Sequence, residues 1–549
     1  MTPRMFQRSA PPVFLTRAVS LAAIGISLAP IVPEAVGQDP IRVIALSGQP
    51  AVGIPNRLYA VFEPPTISND GDVGYGAEAT NAGGDSDFGF WVRAFAASSL
   101  ILRVGDQPPG TPAGTEYELR PAQIAVNDSG QAGFVISTID SAGDVKLGVF
   151  SRTTGASAQL VALDGSNAAG ITGATYDFTE APTLVQVSAG PVFTGNFLDS
   201  NLDPGRAIWR RSGTTTTKLV ATEEAAEAGG SDLLVGLGPI AASPAGTVVF
   251  LAQTDLSPLE DSLYRKNVSA GSTVIAREGQ TAPGTVAELF LDLRRPVINN
   301  AGRAAFAATL EADPTEDLGI WREGADGNVG LIARTGRTLP GLAANATAED
   351  LSDPRIGLNG RISFGAKLVT DGDSVTAEDD TGLWGSATGS LQLVVREGNQ
   401  APGLPAGVLF SEFGYLNGWT ANDAGQLAFT IDLEGLNVSA SNDSSLWAQR
   451  PNGSLALVAR KGDSFVVAAG DVRTIDQILF ATGVDNIGSS LADGWNDVSQ
   501  IAFMLRFDDG TQGVFVKTVV PEPGSVGLLV AGVVVLGAGR LGRRSVALG

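Results

Sequence analysis

The sequence predicts an all-β chain folded as a β-propeller of eight four-stranded blades. Three observations lead there. The first is a repeat: Asn-x-x-Gly-x-x-Ala-Phe is plain at 127–134, 299–306 and 422–429, with looser copies centred on Gly71, Gly190, Gly246, Gly360 and Ser499. Successive markers stand 59, 60, 56, 56, 58, 65 and 74 residues apart, the fixed period of a repeat architecture. The second is that each unit holds four short β-branched or aromatic runs bounded by Gly, Asn, Asp and Pro, which is the grammar of strands and hairpins. The third is phase. The first run, Ile41 to Gly48, reads as a fourth strand with no blade before it, and the last, Gly513 to Lys517, as a third strand with no fourth after it. The N-terminal strand is therefore expected to complete the last blade and close the ring.

Within a unit, the first strand ends at the motif Asn, as in Pro296-Val297-Ile298-Asn299. A turn through Gly302 leads to the second, Arg303 to Leu310. The third is Gly319-Ile320-Trp321-Arg322, and its aromatic slot recurs as Trp91, Trp209, Trp384 and Trp447, or as Phe150, Tyr264 and Phe515. Gly330 to Arg334 is the fourth. Four antiparallel strands repeated around a channel make a propeller, whereas some sixty residues per unit is too short for separate sandwiches. All seven Trp fall in repeat slots, so they read as packing between blades rather than as platforms for sugar rings. The motif Asn and Gly read as turn formers.

Forty-four per cent of the 549 residues are hydrophobic, enough for a core, and Cys and His are absent altogether. Disulfides, thiolate nucleophiles and imidazole chemistry are thereby excluded. Residues 1–37 read as a secretory signal: Arg4, Arg8 and Arg17, an apolar run from Ala18 to Ile31, then Ala35-Val36-Gly37 for cleavage. Residues 38–518 form the repeat domain. Residues 519–549 form a tail with Pro521, Glu522 and Pro523, an apolar run from Val526 to Gly539, and Arg540, Arg543 and Arg544. Without its two ends the chain keeps 30 basic and 56 acidic residues, so the surface repels nucleic acid and anionic lipid.

This tail resembles the PEP-CTERM sorting signal of bacteria that use an exosortase. The likeness implies that Pro521-Glu522-Pro523 is the recognition motif, that Arg540, Arg543 and Arg544 retain the tail at the cytoplasmic side, and that exosortase-type machinery is a partner. It also implies a transient membrane anchor, then delivery to the cell surface or an exopolysaccharide matrix. The repeat over residues 41–517 resembles the tandem NxxGxxAF-repeat surface proteins of bacteria. That likeness implies location and architecture, and no site residue.

Strand alternation places the longer loops, second-to-third and blade-to-blade, on one face, where repeat proteins bind. Acids crowd these loops: Asp85 and Asp87, Asp140 and Asp144, Asp199 and Asp203, and above all Asp371, Asp373, Glu378, Asp379 and Asp380. The last group is the candidate metal site, with Ca²⁺ as the cofactor it suits; solvated acidic loops are the competing reading. Nothing in the spacing selects a catalytic carboxylate pair. The expectation is a non-catalytic module that binds or organises exopolysaccharide or a surface partner. A carboxylate-dependent glycan-acting enzyme and a Ca²⁺-dependent adhesin are the alternatives.

Overall fold

The computed structural model describes residues 41–520, except 95–96, 119–122, 128–129, 154–155, 188–189, 228–229, 256–259, 269, 312–316, 373, 412–413, 417 and 484–492. Both sequence-predicted ends, 1–37 and the tail from Pro521 onward, lie outside these residues. Eight antiparallel sheets follow one another along the chain, one per repeat. Among the described residues no helix is long and apolar enough to cross a membrane.

The blades are not four-stranded as expected: seven of the eight sheets contain five strands. In most of these the first strand is broken. Blade six, for example, has Ala348–Leu351 and Arg355–Ile356 end to end along one edge of Ile362–Leu368. The break falls at Pro354, as it falls at Pro64-Pro65 in blade one and Pro296 in blade five. Proline has no N–H to give to a ladder.

The closing of the ring also differs from expectation. Ile41–Leu46 does pair with Gln512–Thr518, Val43 lying opposite Phe515. It is, however, one edge of a five-stranded sheet that continues through Gln500–Phe507 and Asp471–Leu479 to Ser464–Ala468. That sheet is curled and open, its edges 7 Å apart, and the N-terminal strand does not close it. The last blade also carries an extra strand. Where other units make only an isolated bridge, such as Pro50 to Leu58 or Thr281 to Leu289, the last one builds the full hairpin Ser464–Ala468/Asp471–Leu479.

Side chains of the motif turns link the last blade to the first. Asn496 Nδ2 donates to the Ser68 carbonyl (2.8 Å), and Asp497 N–H to Asn69 Oδ1 (2.7 Å). The same link recurs from Asn422 Nδ2 to the Asn496 carbonyl and from Asn299 Nδ2 to the Gly357 carbonyl, both 2.9 Å. Each Asn also folds its own turn, Asn299 Oδ1 accepting from Ala301 and Arg303 N–H at 3.0 and 2.9 Å. The motif Gly takes positive φ, 78° at Gly302, and Ser499 adopts 59° in the degenerate copy. The motif Asn is therefore both a turn former and a tie to the next blade.

The Trp residues do pack. Every motif aromatic faces the third-strand aromatic of its own blade in register, as Phe306 faces Trp321 and Phe364 faces Trp384. Ring centroids stand 5.4 Å apart for Phe134–Phe150 and 6.1 Å for Phe364–Trp384, nearly parallel in both. Trp91, Trp209, Trp321, Trp384 and Trp447 are fully buried. Trp321 closes a core that also takes Val249 and Leu263 from the preceding blade, and its indole N–H donates to the Pro283 carbonyl of the crossover (3.0 Å).

Asn422→Ala is expected to lower stability by about 1–3 kcal/mol, because it orphans buried turn groups and the Asn496 carbonyl. Asn422→Asp, which keeps the Oδ1 acceptor but loses the Nδ2 donor, should not restore the loss. Thermal unfolding of the two variants checks this.

Candidate functional site: three carboxylates between blades four and five

Asp261 opens the third strand of blade four, Asp261–Lys266, and Glu278 directly follows its fourth, Ser272–Arg277. Asp292 sits on the outer half of blade five's first strand, Phe290–Leu293. One carboxylate oxygen from each lies within 4.8 Å of the others; Asp261 and Glu278 are half-buried and Asp292 is exposed. Strand starts, strand ends and crossovers of this kind lie on the face with the longer loops.

The local fold explains the first pair. Glu278 N–H donates to the Asp261 carbonyl (3.0 Å), and Asp261 N–H donates back to Glu278 Oε2 (2.8 Å). Other blades fill this slot with a hydroxyl: Leu318 N–H donates to Thr335 Oγ1 (2.9 Å) and Arg206 N–H to Thr222 Oγ1 (3.1 Å). In blade six Thr381 Oγ1 donates to Glu397 Oε2 (2.9 Å). Blade four alone among the eight sets acid against acid, and the neighbouring blade adds a third.

Nothing basic neutralises them. Elsewhere the Arg that ends the fourth strand pairs with an acid near this slot, Arg103 with Asp87 (2.8 Å), Arg334 with Asp317, and Arg396 with Asp379 (2.8 Å). In blade four, among the described residues, Arg277 pairs only with Glu227 of the crossover leading into the blade (3.4 Å), where it lines a pocket with Asp232 and Gln280. Among the described residues none of the three carboxylates has an ion-pair partner. Burial pushes the Glu278 carboxyl above the ordinary glutamate range, the Asp261 and Asp292 charges add to the rise, and the N–H groups of Asp261 and Leu293 restrain it.

The acids singled out from sequence are placed differently. Asp371 Oδ1 accepts from Ser374 and Val375 N–H (2.7 and 2.9 Å), which shapes its own loop. Asp379 accepts from Thr376 N–H (2.7 Å) and pairs with Arg396. Glu378 is exposed, Asp380 is buried, and Asp373 lies outside the described residues. These residues do not appear as a metal-holding group among the described residues; Asp261, Glu278 and Asp292 do. Asp140 and Asp199 shape hairpin loops in the same way, each accepting from the N–H groups two and four residues on.

The expectation that the protein is more a non-catalytic module than an enzyme is corrected by this grouping. It rested on the absence of any carboxylate set singled out by spacing, and the fold singles one out. The three residues come from three strands of two blades, so their separation in sequence carried no signal. The same three oxygens suit a divalent cation.

Because native Glu278 holds its proton to higher pH than the unfolded chain does, its contribution to stability is full below the ordinary glutamate pKa. It is lost as pH rises through the raised native value. Glu278→Gln should therefore show a flatter dependence of unfolding free energy on pH than the parent, from about pH 4 upward, measured by denaturant titration across pH.

The chain matches a family of unknown function, DUF7453, over residues 31–373 and again over 257–527. No curated protein matches it. Among solved structures it is similar to a protein of Lactobacillus plantarum, at 10% identity and TM-score 0.32, over 68% of this chain and 91% of that one. It is also similar to a putative 6-phosphogluconolactonase of Bacteroides fragilis, at 12% identity and TM-score 0.31, over 75% and 96%. A third is the sialidase of Trypanosoma rangeli, at 12% identity and TM-score 0.25, over 72% and 61%. Likenesses of this size say nothing about activity. With its two overlapping matches running from residue 31 to residue 527, the chain belongs to the DUF7453 family, whose function is unknown.

Proposed function

We propose that the protein is an exported, glycan-acting enzyme that works through Asp261, Glu278 and Asp292. One observation carries the proposal: three carboxylates gathered without a basic partner on the face with the longer loops. Its export rests on the sequence, through the signal at residues 1–37 and the tail at 519–549. Exosortase-type machinery is the proposed sorting partner, and the cell surface or its exopolysaccharide matrix the destination.

Glu278 is the acid. Its raised affinity for the proton lets it donate to the bridging oxygen of a glycosidic bond as the bond to the anomeric carbon breaks. Asp292, the exposed member, is placed to attack that carbon and form a glycosyl ester. Water then cleaves the ester, and the proton it gives up returns to Glu278. Carboxyl groups about 5–5.5 Å apart serve this two-step route, whereas about 6.5–9.5 Å leaves room for a water between them. Here one oxygen from each carboxylate lies within 4.8 Å of the others, which sets the groups close together.

A second reading follows from the missing basic partner. The three oxygens hold Ca²⁺ or another divalent cation, and the protein is a cation-dependent glycan adhesin.

Incubating the purified chain with polysaccharides, with and without Ca²⁺ and a chelator, should release new reducing ends. Glu278→Gln should reduce the rate by at least about 100-fold. Polymer bound but not shortened, with a melting midpoint raised by Ca²⁺ in the parent and not in Asp292→Asn, would support the adhesin. If neither result is obtained, both readings end.

A further inference from the structure

A second cluster of charge lies at the inner ends of the blades. Arg355 is on the inner half of blade six's first strand, Arg355–Ile356, against the corresponding pieces Val297–Ile298 of blade five and Trp419–Ala421 of blade seven. Asp493, just before the motif of blade eight, accepts from Thr420 Oγ1 at 2.6 Å and from Trp495 N–H at 3.2 Å. Its carbonyl accepts from Ile67 N–H of blade one at 3.0 Å. The charges of Asp353 and Asp493 reach Arg355, and those of Arg294 and Arg295 reach Asp353. Groups from blades five, six, seven, eight and one meet only where the blades converge, along the central channel.

The Arg355 guanidinium has no hydrogen-bond or ion-pair partner among the described residues. Arg355 is half-buried. Its Cζ lies 5.8 Å from the ring centre of the buried Trp419. A guanidinium offers five N–H donors in a planar fork that matches an oxyanion, and holding one out of water with the fork unused is costly. The chain is strongly acidic, with 58 Asp and Glu against 36 Lys and Arg, so an unpaired Arg355 with Arg294 and Arg295 acting on the neighbouring Asp353 stands out.

We propose that the central channel binds an oxyanion through Arg355, with Arg294 and Arg295 supplying further positive charge. The ligand is a carboxylate, as on an acidic sugar, or a phosphate or sulfate group. The site uses none of Asp261, Glu278 and Asp292.

The facing groups give the binding a pH dependence. Burial pushes the Asp493 carboxyl up to about 6 and raises that of Asp353, while Arg355 and, for Asp353, Arg294 and Arg295 oppose the rise. Asp497 is the other acid whose charge reaches Asp493, and Trp419–Ala421 carries no titratable group. As pH falls the two Asp take up protons, the cluster becomes more positive, and binding tightens.

Calorimetric titration of the full chain with glucuronate, inorganic phosphate and inorganic sulfate, and with glucose as the neutral control, tests this. At least one oxyanion should bind saturably, and at least about tenfold more tightly near pH 5 than near pH 8; which one binds identifies the source. Arg355→Gln should weaken binding by at least about tenfold with the melting midpoint maintained, and Asp493→Asn should raise affinity at the higher pH and flatten the pH dependence. The proposal is overturned if no oxyanion binds, if Arg355→Gln binds as well as the parent, or if Asp493→Asn leaves both affinity and pH dependence unchanged. Should Arg355→Gln fail to fold, Asp493→Asn alone decides.

Discussion

The motif turn is the constraint on which the rest of this structure depends. One Asn side chain does two things at once: its oxygen closes the turn that starts the second strand, and its amide grips a carbonyl of the next turn around the ring. The Gly beside it takes the left-handed backbone that the turn requires, and Ser499 meets the same demand in the degenerate copy. Once the turn is set, strand register follows. Register then brings the motif aromatic over the third-strand aromatic, and that pair fills the gap between blades.

Repeating features were legible in the sequence because repetition averages out local noise. Eight turns, eight aromatic pairs and the strand order could be read from a marker and its spacing. Features that occur once were hidden. The break in the first strand, although it recurs, shows in the sequence only as Pro64-Pro65, Pro296 and Pro354, which interrupt a run without fixing how its two halves pair. The extra hairpin at Ser464–Ala468 lay in the longest unit, where added length gave no hint of its form. Asp371 and Asp379 read as metal ligands from composition alone; the fold shows in addition that each accepts from N–H groups of its own loop. Asp261, Glu278 and Asp292 could have been noticed by laying the blades over one another, since their slot holds Thr335 or Thr222 elsewhere.

Electrostatics separates rim from centre. Around the rim, acids outnumber bases, and most of those near strand ends are answered by an Arg of the same blade. Blade four breaks that rule by pairing Arg277 with Glu227 of the crossover. At the centre Arg355 faces Asp353 and Asp493, carboxylates whose charge burial disfavours.

The side-chain ties from turn to turn bear on how the molecule comes apart. In an open stack of repeats the terminal units have one neighbour each, so they fray first and stability is close to a sum over units. Here the Asn496 and Asp497 links to Ser68 and Asn69 give the last turn a successor. Loss of any blade therefore removes two interfaces at once. Partial unfolding has no inexpensive place to begin, and truncation by one repeat would differ in kind from shortening a solenoid.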